Sequence, residues 1–277
     1  MQFAINLPNF GTFADTKLLA GLAAEAEAAG WDGFFLWDHT RPGPLPLAEP
    51  WIALTAIALA TSRIRLGPMV TPLPRRRPEE VARQAATLDR LSGGRLVLGV
   101  GLGDDLFREF SSFGHELDAV NRGQMLDEAL DVINGLLRGE RFTYHGKWFD
   151  VTDVEFQPKP LQEPLPIWVA GRWPAKPPFR RGARYDGIAP VSQTGAMTPD
   201  LCREVVEFTM SQRKSQAPFD VAVTAWRRDL GRDEEAQQVA AFAVAGATWY
   251  QVSFAATASR DEVIDAIRRG PPRRADC

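Results

Sequence analysis

The sequence predicts an α/β fold, a single (β/α)8 TIM barrel with a small β-hairpin insertion around residues 141–151. Three observations carry this. Short apolar runs alternate with longer helix-like segments eight times along the chain. The runs are mostly apolar throughout, as strands are when helices cover both faces of a parallel sheet. The length of 277 residues suits one such barrel, which commonly takes about 250. A doubly wound open sheet is the rival topology.

Residues 2–7 (QFAINL) form the first short run, closed by Pro8, Asn9 and Gly11. Residues 15–29 are Ala/Leu-rich at helical spacing, opened by Asp15 and stopped by Gly30. A strand at 33–37 and a helix at 51–60 follow, then a third strand at 64–70. The third helix begins at Pro78, where a missing N–H costs nothing, with Glu79 and Glu80 at its positive end. Strand four is 95–101, followed by an irregular stretch and a helix at 121–137. The hairpin turns at His145-Gly146. Strands five to eight are expected at 166–170, 187–191, 220–225 and 249–254, with helices near 175–184, 198–214, 233–245 and 260–269. Residues 1–270 read as one domain and 271–277 as a frayed tail.

Composition narrows the function. Lys and Arg number 32 against 35 Asp and Glu, a net charge of −3, which gives no general pull toward nucleic acid or an anionic membrane. Cys202 and Cys277 make no disulfide framework, and no apolar stretch of about 18 residues occurs. A cytoplasmic protein with no membrane span is expected. The lysines, only five in number, fall away from strand ends, which argues against Schiff-base chemistry. No G-x-S-x-G motif is present, and the three histidines lie in unrelated segments, so no metal site is expected.

In a barrel, chemistry gathers where strands end. Asp38-His39 closes strand two. An imidazole beside a carboxylate suits proton transfer, although a loop cap and a backbone-bonded histidine read equally simply. Successive strand residues face opposite sides, so the two would not converge on one metal. Leu98–Asp104 alternates glycines at 99, 101 and 103. These would either let a flat ligand approach the backbone or fit a crowded barrel axis. Ala170-Gly171-Arg172-Trp173-Pro174 precedes a helix and reads as a phosphate site or as a surface turn. Arg75-Arg76-Arg77 is either a solvated run or a landing patch for an anionic tail. Phe10, Phe13, Trp51, Trp173, Trp226 and Phe254 near the mouth suggest an apolar or aromatic substrate, or belong to the core.

The same segments carry a resemblance. Ser62–Pro72, Ala85–Arg95 and Leu98–Gly103 together resemble the bacterial luciferase-like superfamily, whose enzymes use FMN or the deazaflavin coenzyme F420. Phe113-Gly114, Arg122, Glu128, Gly146, Pro158-Lys159-Pro160 and Gly246–Trp249 extend the match over most of the chain. The resemblance implies a flavin- or deazaflavin-dependent oxidoreductase of the luciferase-like monooxygenase type, acting on a small organic substrate at the C-terminal mouth. It implies a catalytic group of His39, Asp38 and Asp104. Asn6, Met69, Val70, Gly101, Gly103, Ala170, Gly171, Arg172 and Trp173 would hold the cofactor, with a non-proline cis peptide at Met69-Val70. A homodimer is expected, and with FMN a partner flavin reductase. The competing functions are a non-catalytic flavin-binding barrel and a barrel lyase or isomerase for a phosphorylated substrate.

Overall fold

A computed structural model describes residues 1–41, 43–226 and 231–272. Pro42, the seventh-strand loop at 227–230, the Trp226 side chain and residues 273–277, including Cys277, lie outside the described residues.

The chain runs β1 (Gln2–Leu7), α1 (Thr16–Ala28), β2 (Gly33–Leu36), α2 (Pro50–Ala60), β3 (Arg65–Pro68), β4 (Thr71–Pro72), α3 (Pro78–Ser92), β5 (Leu98–Gly101) and α4 (Ala119–Leu137). It continues with β6 (Arg141–His145), β7 (Asp150–Glu155), β8 (Ile167–Trp173), α5 (Pro177–Gly182), β9 (Gly187–Ser192), α6 (Pro199–Gln212), β10 (Asp220–Trp226), α7 (Arg232–Val244), β11 (Trp249–Ser253) and α8 (Arg260–Arg269). Nine strands form one parallel sheet in the order β3-β2-β1-β11-β10-β9-β8-β5-β4, nearly closed into a barrel with helices around it. β6 and β7 pair apart from it as an antiparallel hairpin.

The expected third strand is in fact two pieces. β3 pairs with β2, Gly67 opposite Phe35, and β4 pairs with β5, Thr71 opposite Val100. Between them the Met69-Val70 peptide is cis. One strand thus changes partner at mid-length, and that change brings the two ends of the sheet together. The approach is close: a Cβ on Gly67 would lie 1.9 Å from the carbonyl oxygen of Val97, and one on Gly99 would lie 2.3 Å from that of Pro68. Only glycine admits such contact.

Local chemistry accounts for the element ends. Asp15 caps α1, accepting from the Lys17 amide at 2.8 Å, and Asp118 caps α4 through Val120 and Asn121. Strand five runs through Trp173, three residues beyond the expected end, because Gly171, Arg172 and Trp173 pair with Pro190, Val191 and Ser192 of β9. α5 is correspondingly shorter than expected. The hairpin extends to Glu155, and its turn is set from outside: the Glu128 carboxylate accepts from the amides of Lys147, Trp148 and Phe149 at 3.0, 2.8 and 3.2 Å. Gly146 is required there, since a Cβ would meet Glu128 Oε2 at 2.2 Å.

Two cores result. The larger lies between strands and helices and includes Cys202, whose thiol burial pushes up to about 11. The smaller fills the barrel itself with Ala4, Phe35, Met69, Val97, Trp168, Ala189, Ala222 and Trp249. Among the described residues no helix is long and apolar enough to cross a membrane.

Candidate active site at the barrel mouth

Side-chain parity builds the site. The inner core residues Ala4, Phe35, Trp168, Ala222 and Ala189 point into the barrel, so the residues two further along each strand do too. Those are Asn6, Trp37, Ala170, Thr224 and Val191. Phe35, Trp168 and Trp249 pack ring against ring, with centroids 5.3–5.9 Å apart, and plug the barrel below. Above the plug the inward residues turn small, and a cavity of about 390 Å3 opens. Met69, Leu102, Ala175 and Ser253 complete much of its wall.

Nine predicted residues meet at this cavity: Asn6, Met69, Val70, Gly101, Gly103, Asp104, Ala170, Gly171 and Arg172. Three do not line it. Asp38 is one residue out of phase with Trp37, so its side chain leaves the barrel and is buried outside, bonded to Thr71 Oγ1 and to Arg75 and Arg76. Trp173 is out of phase with Arg172 and packs outward on Phe179 and Phe208, its indole N–H donating to Glu204 at 3.0 Å. His39 lies past the end of β2, beside Trp37, with ring centroids 5.8 Å apart. The imidazole is therefore adjacent to the cavity, one ring removed from it. Phe10, Phe13, Trp51 and Phe254 belong to the core, and the aromatic at the mouth is Trp37.

The loops above the cavity are tied by an ionic cluster. The Glu109 carboxylate, 4% exposed, takes His39 Nδ1 on Oε2 at 2.7 Å. Its Oε1 accepts from the Thr40 and Arg41 amides, the latter at 3.1 Å, and meets Arg75 Nη1 at 3.1 Å. Arg75, with 3% of its side chain exposed, also reaches Asp38 Oδ1 at 2.7 Å. Burial pushes the Glu109 pKa up. The hydrogen bonds from His39 and Thr40 and the charges of His39 and Arg75 outweigh it and hold the group down at about 2. The arginine run is thus neither solvated nor a landing patch: Arg75 and Arg76 are committed to Asp38, and only Arg77 projects into solvent.

The glycines and the expected phosphate loop also read differently in three dimensions. A Cβ on Gly101 would press Val70 at 2.8 Å, and one on Gly103, at φ +70°, would press Phe110 and Pro72. These glycines answer to crowding within the protein. Gly171 approaches Pro178 just as closely. Pro177 and Pro178 open α5 and carry no N–H, so this six-residue helix offers an anion nothing at its first two positions. Among the described residues of this loop, what remains for an anion is Arg172, exposed at the rim and paired with Asp104 at 2.6 Å.

Trp37, Thr224, Ser253 and Glu109 escaped the sequence reading. Parity could have found the first three. Glu109 lies in an irregular stretch 70 residues from His39 and carries no local signal. A larger groove of about 1100 Å3 lies outside the barrel, between the start of α3 and the hairpin. It mixes Arg75, Arg76 and Arg77 with Glu79, Glu80 and hairpin aromatics, and it lacks the convergent inward residues of the mouth. Among the described residues no group of three or more His, Cys, Asp or Glu could hold a metal ion.

The chain is 38% identical over 156 residues to an F420-dependent glucose-6-phosphate dehydrogenase of Microbacterium testaceum, a match covering 54% of this chain and 45% of that protein. It thus spans about half the length of that curated relative. In fold it is similar to an F420-dependent secondary alcohol dehydrogenase solved with an F420-acetone adduct, with a TM-score of 0.83, 18% identity, and 99% of each chain covered. It is also similar to a monooxygenase from Streptomyces bottropensis, with a TM-score of 0.75, 18% identity, and 97% of each chain covered. The model of the luciferase-like monooxygenase family matches residues 1–272, and the chain belongs to that family.

Proposed function

We propose that this chain is a flavin- or deazaflavin-dependent oxidoreductase whose cofactor is coenzyme F420, with FMN as the alternative. The observation that carries the reading is the cavity above the barrel's aromatic plug, with the His39–Glu109 pair at its edge. The residues fit a flat heteroaromatic ring. Ala170 and Ala189 leave the space, Met69 and Val70 give an apolar wall, and the buried Asn6 Oδ1 has no hydrogen-bond partner among the described residues and can accept from a ring N–H. Among the described residues lining the cavity, Arg172 is the cation that can meet the anionic arm. Bound there, a deazaflavin supplies two-electron hydride transfer. The choice of F420 over FMN leans on the curated relatives, which are named for F420.

The chain's own residues then have separable tasks. The walls exclude water. His39 gives or takes a proton at Nε2, the ring nitrogen without a hydrogen-bond partner among the described residues. Asp104 stands across the rim as a second acid or base, held by Arg172. Leu102, Val191 and Met69 give the wall an apolar part beside the hydroxyls of Thr224 and Ser253, which supports a small substrate with an apolar or aromatic part. Asp38 supports the loop from outside the barrel. A homodimer belongs to the same proposal, supported by Ile52 and Leu59, 63% and 70% exposed two turns apart on α2. So does a cytoplasmic setting. A flavin reductase partner would be needed with FMN alone.

The test is cofactor titration followed by visible spectroscopy, with oxidised F420 and FMN in separate arms. F420 should bind, with a perturbed absorbance band, more tightly than FMN. Glucose-6-phosphate and a panel of small alcohols then serve as reductant probes, read by bleaching of that band. FMN binding with no F420 binding would move the assignment to the flavin. Binding of neither overturns it, and binding without turnover of any probe would favour the non-catalytic barrel.

A further inference from the structure

We infer that Glu109 is a positioning residue for His39, fixing the imidazole with its proton on Nδ1 and its lone pair on Nε2, and that Arg75 keeps Glu109 able to do so. This rests on the oxidoreductase reading only for what the proton at Nε2 is used for.

The geometry leaves little freedom. Glu109 is 4% exposed and uses both oxygens: Oε2 faces His39 Nδ1 at 2.7 Å, and Oε1 gathers the amides of Thr40 and Arg41 and the guanidinium of Arg75. Every group around Oε1 is a donor, so that oxygen has no use for a proton of its own. An ionised carboxylate only accepts, so Nδ1 must donate. A neutral imidazole carries one proton, and with that proton on Nδ1 the other nitrogen is necessarily the bare one.

The ring is held in plane from three sides. Phe10, Phe107 and Trp37 stand edge-on or tilted to it, at centroid distances of 5.4, 5.2 and 5.8 Å. A flip of the ring would put Cδ2–H where Nδ1 now stands and break the bond to Glu109. A proton arriving at Nε2 instead makes an imidazolium that faces that anion, with the Nδ1–H bond unchanged. Glu109 therefore acts through His39 in both protonation states.

Arg75 supplies the second half of the device. Its side chain is buried and bridges Asp38 on one loop and Glu109 on another. Two buried carboxylates so near each other would otherwise raise each other's proton affinity. With the guanidinium between them, Glu109 stays ionised at every pH where the imidazole can work.

The test needs neither cofactor nor substrate. The chain holds three histidines, so long-range 1H–15N correlation of uniformly labelled, cofactor-free protein resolves each imidazole, and a His39→Gln sample assigns the signals. At the high-pH limit of a titration of the His39 signals, where the ring carries a single proton, that proton should sit on Nδ1 with Nε2 bare. In Glu109→Gln the amide can donate as readily as accept, and the His39 signals should move toward the average of the two tautomers. Glu109→Asp, which keeps the carboxylate, should restore the parent pattern in part. A parent spectrum with the proton on Nε2 overturns the assignment whatever the variants do, as does an unchanged tautomer in folded Glu109→Gln. If the Gln variant does not fold, the parent and Asp spectra decide alone. Failure of F420 or FMN to bind would sink the proposed function and leave this spectrum untouched.

Discussion

Two histidine–carboxylate pairs in this molecule look alike on paper. At the mouth His39 Nδ1 lies 2.7 Å from Glu109, and on the hairpin His145 Nδ1 lies 2.5 Å from Asp150. The shorter contact is the weaker one. His145 and Asp150 are 66% and 71% exposed, so water competes for both groups and screens them. At the mouth the values are 24% and 4%, and the carboxylate also holds two backbone amides and an arginine. Burial and the number of fixed donors decide the strength of such a pair, and distance does not.

The harshest way to break this comparison is to remove the cation that both mouth carboxylates share. Arg75→Met leaves Asp38 and Glu109 buried without their bridge and should lower stability by about 3–5 kcal/mol, read as a shift in urea midpoint at unchanged slope. A loss below about 1 kcal/mol would mean that the mouth cluster behaves like a surface pair, and the contrast would be false.

Acid offers a second, smaller test. Glu109 is held at about 2 in the folded chain against an ordinary value of 4.5. The folded pKa is the lower one, so the stabilisation is fully present above pH 4.5. It is lost as pH falls from there toward 2, where the unfolded chain binds a proton the folded chain refuses. Each such group steepens the fall by at most about 1.4 kcal/mol per pH unit. Glu109→Gln should therefore be less stable than the parent near neutrality and lose less in that window. Glu27, held at about 2 by the Ile64, Arg63 and Ser62 amides, titrates in the same range but is present in both proteins and cancels in the difference. Parallel curves for parent and variant between pH 4.5 and 2.5 would show that Glu109 is not held down.

The contrast also explains what could be read from the sequence. The eight strand–helix units, the capping Asp15, the start of α3 at Pro78 and the hairpin were legible because each is written in neighbouring residues. Nine cavity residues were legible because strand ends define the mouth and a specific motif marks them. Parity, applied strictly, would have sent Asp38 and Trp173 outward and brought Trp37, Thr224 and Ser253 in. What was hidden depends on distant pairing. No local pattern shows that Glu109 reaches back to His39 or that Arg75 and Arg76 turn inward to Asp38.

The hairpin gives the smallest effect and the sharpest control. Asp150→Asn removes the charge of an exposed pair and should change stability by no more than about 0.5 kcal/mol, in either direction. Glu128→Ala, in the same structural unit, should cost about 1–3 kcal/mol, because three amides of the turn lose the one carboxylate that gathers them. Neither change reaches the mouth, so the His39 tautomer should be the same in both as in the parent. The two variants separate proximity from anchoring inside one hairpin. Asp150 makes a short contact with a side chain that water can replace, whereas Glu128 gathers three backbone amides of the turn at once. If Asp150→Asn proved as costly as Glu128→Ala, contact length would matter after all, and the reason for setting the mouth pair apart from the hairpin pair would be gone.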